Sequence, residues 1–474
     1  MTTHPPSQGG GITQKLNDAP LSLFHYRAML TAGMGFFTDA YDLFIIGVAT
    51  SLIGEQWHLT PVQVGLLGSS TLVATLIGAF TFGFIADRVG RKTVYGIEAG
   101  IMALGALACA FAPNFAWLLV FRFILGIGIG GDYPVSGVIM SEYSNQKNRG
   151  QLVGLVFSMQ ALGLVIGPAV ALTFLAAGID HAIVWRLLLG LGALPALAVI
   201  YFRRTLPESP RYLSRMKGSS KAAAEAVHHY SQGVVSSETE QEERIQGGLL
   251  AFFKNPRNLL IILGTAGSWF LLDYAYYGNT ISTPLVLQSV SAGSSLLQKT
   301  AWSLMIFAVA AAPGYVFAFS LIDKIGHKRL QWIGFVAMAL CFGAIGLIPG
   351  LTQMVVPFLV LYGLSYFFTE FGPNVTTFII PTEVFPINVR TTGHGIAAGI
   401  GKVGAFLGVF VFPMLNAQFG LNGTLLISAG CAVAGALLTL VLPEPAGRSI
   451  EEVSGEHRMY AKHTPTVSTE PRPA

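Results

Sequence analysis

Charged side chains are scarce in this sequence of 474 residues, because Asp, Glu, Lys and Arg together make up only 11 % of it. Soluble proteins carry about 25 % charged residues. Hydrophobic residues make up 52 % of the chain. A length that would fill two or three soluble domains therefore lacks the polar side chains to cover them. The composition excludes a chain of soluble domains and indicates a protein embedded in lipid.

Cysteine is also rare. The three cysteines, Cys109, Cys341 and Cys431, lie in separate apolar runs, too few and too scattered for a disulfide framework or a metal site. No histidine has partners at metal-ligand spacing. The net charge of +4 is small, and no basic cluster carries the aromatic neighbours of a nucleic-acid site. We therefore expect no metal, no cofactor, no nucleic acid and no enzymatic chemistry.

Long apolar runs are what the sequence does contain. A run of about 20 apolar residues can cross a bilayer as a helix, and the polar N-terminus lacks the pattern of a signal peptide. We predict an all-α integral membrane protein of twelve transmembrane helices. The predicted helices cover residues 27–53, 62–86, 93–112, 115–141, 150–175, 183–203, 258–287, 299–322, 330–350, 353–381, 391–417 and 422–443.

A polar segment divides these runs into two groups of six. Residues 204–257 hold most of the consecutive polar residues, so we predict a central cytoplasmic loop there. It joins an N-terminal six-helix bundle at 27–203 to a C-terminal six-helix bundle at 258–443. Residues 1–26 and 444–474 are predicted to be cytoplasmic tails, and the polar, Pro-containing second tail is predicted to be disordered.

The positions of Lys and Arg predict the orientation. With both termini in the cytoplasm, the cytoplasmic segments carry 24 of the 28 Lys and Arg residues, and this count includes Arg203. The outer loops then carry only Lys299. Because positive charge accumulates on the cytoplasmic side, we predict a multi-pass protein of the plasma (inner) cell membrane with both termini cytoplasmic.

The two groups of helices share a weak internal repeat. Segment 83–92, GFIADRVGRK, recurs loosely as LIDKIGHK at 321–328, an offset of 236. Glu142 followed by Arg149 recurs as Glu383 followed by Arg390, an offset of 241. Asp39 and Asp273 end a third match, at an offset of 234. Similar offsets in the same order indicate two pseudo-symmetric six-helix bundles. The repeated Glu and Arg residues are expected to form structural ion pairs.

These segments resemble the major facilitator superfamily over essentially the whole chain. Segment 83–92 looks like its helix 2–3 signature, and segments 122–131, 207–213 and 443–452 resemble its sugar-porter-like branch. Segment 130–142, GGDYPVSGVIMSE, is similar to the fingerprint of phosphate:proton symporters within that branch. The resemblance implies the major facilitator fold, with two bundles that rock about a site near the midplane.

Ionisable side chains inside the predicted helices are costly in lipid and indicate function. Asp39 and Asp42 are three residues apart on one face of the first helix, so their repulsion favours one of them keeping a proton. Arg122 is open between a structural pair with a carboxylate and a coupling role. Glu370 has no counterpart in the other half, and no role follows for it from the sequence.

The seventh helix carries a mixed polar stripe. Trp269, Asp273 and Tyr277 lie at positions i, i+4 and i+8, which places an aromatic ring, an acid and a hydroxyl group on one face. A stripe that served only for packing would not contain Asp. The resemblance extends this stripe to a substrate-binding set of Tyr133, Gln160, Trp269, Asp273, Tyr277 and Asn374.

The resemblance implies two further sets of residues. The proton-coupling set is Asp39, Asp42, Glu98, Asp132, Asp273 and Lys402. The gating set is Asp87, Arg88, Arg91 and Asp323. The gating charges are expected to pair with neighbouring helices or with a helix N-terminus and to hold the cytoplasmic ends of the bundles shut.

The sequence thus predicts a proton-coupled importer of inorganic phosphate for which a monomer suffices. Protonation of its acids removes their repulsion of the anion. Two alternatives stay open. Proton symport of an organic acid, such as an aromatic carboxylate, fits the spacing of Asp39 and Asp42, and a phosphate-sensing receptor with little flux belongs to another class. A sugar is less favoured, because Trp269 and Asp273 stand where sugar porters carry amides.

Overall fold

Helices form all the regular structure in the part of the chain that the computed structural model describes, residues 12–230, 252–290, 293 and 295–456. Eleven of these helices are long and apolar enough to cross a membrane. The last of them, Arg390–Thr439, has 50 residues, about twice what a bilayer requires. It is interrupted at Gly420, where φ is 66° and ψ is 178°. Because the interrupted helix provides two spans, the described residues contain twelve.

We number the membrane helices α1 to α12. In the first bundle they are α1 Leu23–Trp57, α2 Pro61–Val89, α3 Arg91–Ala110, α4 Phe115–Tyr143, α5 Arg149–Ala176 and α6 His181–Thr205. In the second bundle they are α7 Pro256–Ile281, α8 Leu296–Ile325, α9 His327–Leu347, α10 Val355–Val384, α11 390–419 and α12 421–439. The predicted fold of twelve transmembrane helices in two bundles is confirmed. The largest difference is in α7, which ends before the separate helix Thr283–Val290.

Two equivalent tight turns mark one end of the bundles, which we call the α2–α3 end. Gly90 joins α2 to α3 with φ 112°, and Gly326 joins α8 to α9 with φ 101°, a region of backbone conformation that favours glycine. Glu208 accepts a hydrogen bond from the backbone of α3 (3.1 Å), and Glu444 accepts one from the backbone of α9 (2.8 Å). Both acids cap helix N-termini, where negative charge is favourable.

Each bundle also caps a helix of the other bundle at this end. Asp87, at the end of α2, accepts hydrogen bonds from two backbone N–H groups in the first turn of α11 (3.2 and 2.7 Å). Asp323, at the end of α8, accepts from two backbone N–H groups in the first turn of α5 (3.1 and 2.7 Å). The two contacts are related by the internal repeat, and together they hold the bundles against each other.

Ion pairs between Glu142, Glu383, Arg149 and Arg390 cross the same interface. Glu142 of α4 pairs with Arg390 of α11 (3.2 Å), and Glu383 of α10 pairs with Arg149 of α5 (2.5 Å). The repeated Glu and Arg residues therefore form the ion pairs expected of them, but each Glu takes the Arg of the other half. Removing one partner of a buried pair is costly because it leaves the other charge unpaired.

The other gating residues behave unequally. Arg91 is buried and pairs with both Asp87 (3.1 Å) and Glu142 (3.1 Å). Arg88 was expected to pair with an acid on a neighbouring helix, and this is wrong for the described residues. Arg88 is exposed, and its guanidinium lies 3.8 Å from the centre of the Phe84 ring.

The first part of the C-terminal tail is ordered, in contrast to the disorder predicted for it. Residues Ile450–Ser454 form a helix. Glu456 pairs with Arg215 (2.8 Å) and Arg390 (2.7 Å), and Glu451 pairs with Arg211. Burial alone would raise the pKa of Glu451, but the Arg211 guanidinium outweighs it and lowers the pKa to about 2. The polar composition suggested disorder. The polar residues are in fact acids that pair with buried arginines distant in sequence, and a pattern within the tail does not reveal such partners. The predicted N-terminal tail contains the helix Ile12–Asp18, and the predicted central loop contains the helix Ser220–Tyr230. Residues 1–11, 231–251 and 457–474 of these segments lie outside the described residues.

We predict that Asp87→Asn weakens the closure of the α2–α3 end. Asparagine keeps the shape and one acceptor oxygen but loses the charge that strengthens these hydrogen bonds. A loss of about 1.4 kcal/mol would shift the ratio of closed to open conformers roughly tenfold. Double electron–electron resonance between labels at exposed Thr93 and Lys324 measures this ratio. The exposed Arg88→Gln variant is the matched control, and equal distributions in both variants would contradict the closing role of Asp87.

Candidate functional site

A lysine and two carboxylates meet where the two bundles face each other. Lys402 of α11 donates hydrogen bonds to Asp273 (3.0 Å) and to Tyr277, both on α7. Opposite them, Tyr133 of α4 donates to Asp39 of α1 (2.6 Å). The hydroxyl oxygens of Tyr133 and Tyr277 are 3.5 Å apart. All five side chains are buried, and they form one polar cluster, which we call the central cluster.

Glycine on α11 explains why Lys402 reaches α7. A Cβ atom added at Gly404 or Gly408 would lie 2.2 Å from a backbone carbonyl oxygen of α7, far inside van der Waals contact. Small residues let two membrane helices approach closely. Because the backbones are in contact there, the Lys402 side chain extends along α7 to Asp273, one turn away from Tyr277.

A chain of hydrogen bonds leads from the central cluster into the second bundle. Gln160 of α5 donates to Asp39 and to Tyr133 (3.4 Å each), and its carbonyl oxygen accepts from Tyr315 of α8 (2.9 Å). Tyr315 in turn accepts from the amide of Asn374 on α10 (2.8 Å). Four of the six residues expected to bind substrate, Tyr133, Gln160, Tyr277 and Asn374, are thus linked to each other by hydrogen bonds.

Tyr315 is the member of this chain that sequence reasoning missed. Its only signal was a hydroxyl group inside an apolar run, directly after Pro313 and Gly314. Trp269, by contrast, was expected in the substrate-binding set. It packs beside the central cluster, with its ring centroid 6.1 Å from that of Tyr133 and 5.5 Å from that of His394. It therefore forms an aromatic wall, as the stripe on α7 suggested.

Asp42 is neutralised separately from Asp39. Its two carboxylate oxygens each accept a hydrogen bond from Arg122 of α4 (3.2 Å each), and Arg122 also contacts Thr71. Arg122 therefore forms an ion pair with a carboxylate, one of the two roles left open for it. Asp39 has only neutral hydrogen-bond partners, Tyr133 and Gln160, so the retention of a proton by one acid of this pair stays a prediction, with Asp39 as the acid that lacks a cation.

Glu98 and Asp132 share one arginine. Arg203 of α6 pairs with Glu98 of α3 (2.9 Å) and with Asp132 of α4 (2.6 Å). Arg203 was counted among the cytoplasmic charges, and its side chain is fully buried between these two acids near the end of α6. The triad lies against α1, where a Cβ at Gly35 would collide with Asp132 and Arg203. These two proton-coupling candidates are therefore separate from the central cluster.

A wide crevice opens at the end opposite the α2–α3 end. It has a volume of about 690 Å³ and lies between α1, α2, α7 and α11. A small cavity beneath it is lined by Asp39, Asp42, Arg122 and Lys402. Both share Ile46, Gly68 and Ile281 in their walls. The central cluster is therefore approached from this end, while ion pairs and caps close the other.

The arrangement suits an anionic solute better than a metal. Side chains of Tyr133, Gln160, Tyr277, Asn374 and Lys402 supply donors along one connected set of hydrogen bonds that passes through Tyr315. Within the described residues, no group of three or more His, Cys, Asp or Glu side chains has the geometry to hold a metal ion. Donors that converge at the interface of two bundles are typical of a membrane transporter.

Comparison with known proteins agrees with this class. The family model described as "Sugar (and other) transporter" matches residues 28–456. The chain is 36 % identical to inorganic phosphate transporter 1-6 of Oryza sativa subsp. japonica, over 97 % of this chain and 99 % of that one. It is 35 % identical to low affinity inorganic phosphate transporter 8 of Medicago truncatula, over 95 % and 94 %.

A solved structure supports the fold. The proton:xylose symporter XylE bound to 6-bromo-6-deoxy-D-glucose superposes with a TM-score of 0.77 at 20 % identity, over 91 % of this chain and 99 % of that one. The fold and the interface site define a multi-pass membrane transporter. The chain belongs to the sugar (and other) transporter family of the major facilitator superfamily, and its curated relatives include inorganic phosphate transporters.

We predict that Asp42 and Arg122 are energetically coupled. Asp42→Asn and Arg122→Gln should each lower the free energy of unfolding by about 3–5 kcal/mol, because either change leaves a buried charge unpaired. The double variant should lose less than the sum. Thermal unfolding of purified protein in detergent completes the cycle. Arg186→Gln is the control arginine, because Arg186 donates only to backbone carbonyls (2.8 and 3.0 Å). Additive losses would show that the pair is not coupled.

Proposed function

We propose that the protein is a proton-coupled symporter that imports inorganic phosphate by alternating access. The curated relatives named as inorganic phosphate transporters support the substrate. The distribution of Lys and Arg supports insertion in the plasma membrane with both termini in the cytoplasm. In this orientation the α2–α3 end is cytoplasmic, and the crevice opens to the outside.

The observation that carries the proposal is the charge balance of the central cluster. Lys402 is one cation, and it faces two carboxylates, Asp273 at 3.0 Å and Asp39 across the Tyr133 and Tyr277 hydroxyls. When all three are ionised, the cluster carries one excess negative charge and repels a phosphate anion. One proton on either acid removes that excess. Lys402 is then free to face the anion, so the proton and the anion favour each other's binding.

The hydrogen bonds of the cluster fit a tetrahedral oxyanion. In the structure without solute, Tyr133, Tyr277, Gln160 and Asn374 bond to one another or to their neighbours. A phosphate at their centre would accept these donors directly, so binding replaces internal hydrogen bonds with stronger ones to a charged ligand. Trp269 would cover one face of the site and limit access of water.

Coupling follows from reciprocity. If protonation raises the affinity for phosphate by some factor, phosphate raises the affinity for the proton by the same factor. Asp273 bonds to Lys402 directly, and Asp39 faces it across the Tyr133 and Tyr277 hydroxyls. Asp42, Asp132 and Glu98 are each held by an arginine, and we assign them to proton transfer around the cluster, with Asp42 nearest the outer crevice.

Alternating access requires the α2–α3 end to open. The caps formed by Asp87 and Asp323 and the crossing pairs of Glu142 and Glu383 would have to break at this end. These contacts all join one bundle to the other, so a rigid rocking of the bundles breaks them together. Closure of the outer crevice over the bound solute would compensate for their loss.

Uptake of labelled phosphate into proteoliposomes, with and without an inward proton gradient, tests this function. The gradient should drive accumulation above equilibrium, and accumulation of an aromatic carboxylate instead would favour the organic-acid alternative. Binding of phosphate with no uptake would favour a receptor.

We predict that Asp273→Asn abolishes accumulation but leaves the protein folded. Asparagine is nearly isosteric, so the packing around α7 is preserved. The variant removes one carboxylate beside Lys402, so proton binding at this position no longer accompanies phosphate. Exchange of external for internal phosphate should persist, because it needs no net proton movement. The assay is proteoliposome uptake and counterflow. Wild-type accumulation with unchanged proton coupling in this variant would exclude Asp273 from the coupling site.

We predict that Tyr133→Phe and Asn374→Ala each weaken phosphate binding. Each change removes a hydrogen bond to a charged ligand worth about 1.5–3 kcal/mol, and affinity falls roughly 10- to 150-fold. Isothermal titration calorimetry measures the affinity. Tyr362→Phe is a matched control, because the Tyr362 hydroxyl donates to the backbone of Asn279 (3.2 Å) away from the central cluster. Normal phosphate affinity in both variants, with lost affinity for an organic acid, would make the substrate assignment wrong.

A further inference from the structure

Glu370 is a buried acid that the proposed cycle does not use. It lies in α10 just before the helix is interrupted at Gly372, and Asn374 follows the interruption. One carboxylate oxygen accepts a hydrogen bond from the Asn374 amide, and the carboxyl group also lies within hydrogen-bonding reach of the Tyr276 and Tyr315 hydroxyls. Among the described residues, no Lys, Arg or His side chain forms an ion pair with Glu370. Glu370 therefore differs from the arginine-paired acids of the first bundle.

The groups packed around Glu370 are phenols. Tyr276 of α7, Tyr315 of α8 and Tyr366 of α10 face the carboxyl group. α8 also approaches α10 closely here, since a Cβ atom added at Gly314 would lie 3.0 Å from the Cβ atom of Glu370. No charged group faces Glu370 from these helices. A charge buried in a membrane protein without a counter-ion is costly, whereas the protonated acid needs no counter-ion.

Asp39 and Glu370 are at the two ends of one hydrogen-bonded chain. Between them the chain runs through Gln160, Tyr315 and Asn374. Among the buried carboxylates that the structure describes, these two have no salt bridge to Lys, Arg or His. The first bundle supplies one of them and the second bundle supplies the other. The chain therefore joins two acids that can each gain a proton at an interface site.

The Asn374 amide has two N–H groups, and both are already bonded. One bonds to Glu370 and the other to Tyr315 (2.8 Å). A solute anion can accept from Asn374 only if it displaces one of these acceptors. An ionised carboxylate is a stronger acceptor than a neutral acid, and it also repels an anion. The ionisation of Glu370 thus decides whether the amide is available.

We propose that Glu370 is a second proton-linked acid of the anion site, which releases the Asn374 amide to phosphate only when Glu370 carries a proton. The inference rests on the proposed function, since it takes phosphate as the anion. The proton binds a carboxylate oxygen of Glu370, and no covalent bond to the solute forms. Ionised Glu370 holds the amide and excludes the anion. Protonated Glu370 lets the amide turn to the anion, so the second bundle contributes a proton-sensitive group in addition to Asp273.

The test is the pH dependence of phosphate binding to purified wild-type protein and Glu370→Gln in lipid nanodiscs, measured by calorimetry from pH 5.5 to 8.5. Glutamine imitates the neutral acid. The ratio of the two dissociation constants at each pH cancels the titration of phosphate itself. One linked proton changes affinity about tenfold per pH unit. At the alkaline end, the advantage of Glu370→Gln over wild type in phosphate affinity should therefore grow by up to about tenfold for each pH unit. At the acidic end the two proteins should have the same dissociation constant.

Asn374→Ala separates competition for the amide from plain repulsion. If Glu370 acts through Asn374, Asn374→Ala loses phosphate affinity at every pH. Adding Glu370→Gln to Asn374→Ala then changes the pH dependence of phosphate affinity much less than Glu370→Gln changes it in the wild-type protein. If Glu370→Gln has the same effect on phosphate affinity in Asn374→Ala as in wild type, the proposed competition between Glu370 and phosphate for the Asn374 amide is overturned. Glu370→Asp, which keeps an ionisable group but shortens it, provides a second folded variant. Its alkaline affinity should rise because the shorter carboxylate holds the amide less well, and an unchanged affinity would contradict the proposal.

The outcomes also separate this inference from the function on which it rests. If wild-type protein does not bind phosphate, the proposed function fails. If wild type binds phosphate with a pH dependence that Glu370→Gln shares at every pH, the function stands and the role of Glu370 is overturned. The Thr369→Val variant controls for changes in α10, because the Thr369 hydroxyl bonds only within its own helix (2.7 Å).

Discussion

Lys402 donates to Asp273 and Tyr277 where two helix bundles meet, and all three side chains are buried. A charge in such a place must be balanced, because an unpaired ion buried in a membrane protein is costly. Lys402 carries one positive charge and faces two acids, Asp273 and Asp39 of the other bundle. It can therefore balance the charge of only one of them. The rest of the site depends on this imbalance: the hydroxyl groups between the acids, the amides behind them and the access from one end.

The same constraint orders the rest of the interior. Arg122 matches Asp42, Arg203 serves Glu98 and Asp132, and the crossing pairs of the α2–α3 end match acids of one half with arginines of the other. A pair within one bundle is unaffected when the bundles rock. A pair between bundles is lost. The placement of a pair therefore separates the charges that hold a bundle together from those that hold one conformation closed.

The internal repeat connects these observations. Asp87 and Asp323, Gly90 and Gly326, and Glu208 and Glu444 are each 236 residues apart, and the two members of each pair perform equivalent tasks. The halves differ near the solute. The first bundle contributes Asp39 with Tyr133 and Gln160, and the second contributes Lys402 and Glu370. Symmetry thus governs the closing contacts, whereas the site depends on residues that break it.

Much of the fold was predictable because each membrane helix is a local feature. A run of apolar residues about 20 long forms a helix in lipid whatever surrounds it, so twelve runs matched twelve helices. The Asp-Arg and Glu-Arg repeats indicated charges at one end. Local patterns failed where a contact is distant in sequence. Arg203, Glu451 and Glu456 stand in or beside segments of polar composition, and only their partners, up to 241 residues away, explain why they are buried.

The sequence by itself determined the class of protein, the twelve helices, their division into halves and the polar stripe on α7, since composition and spacing within a helix decide these. The other interface residues were implied by the family resemblance. The tertiary structure alone decided which charges meet. It separated Asp39 from Asp42, gave Arg122 its partner, removed Arg88 from the closing contacts and placed Tyr315 and Glu370 in line with Asn374. The physical reason is that the strength of an ion pair or hydrogen bond depends on distance and burial across helices, which spacing along one helix does not encode.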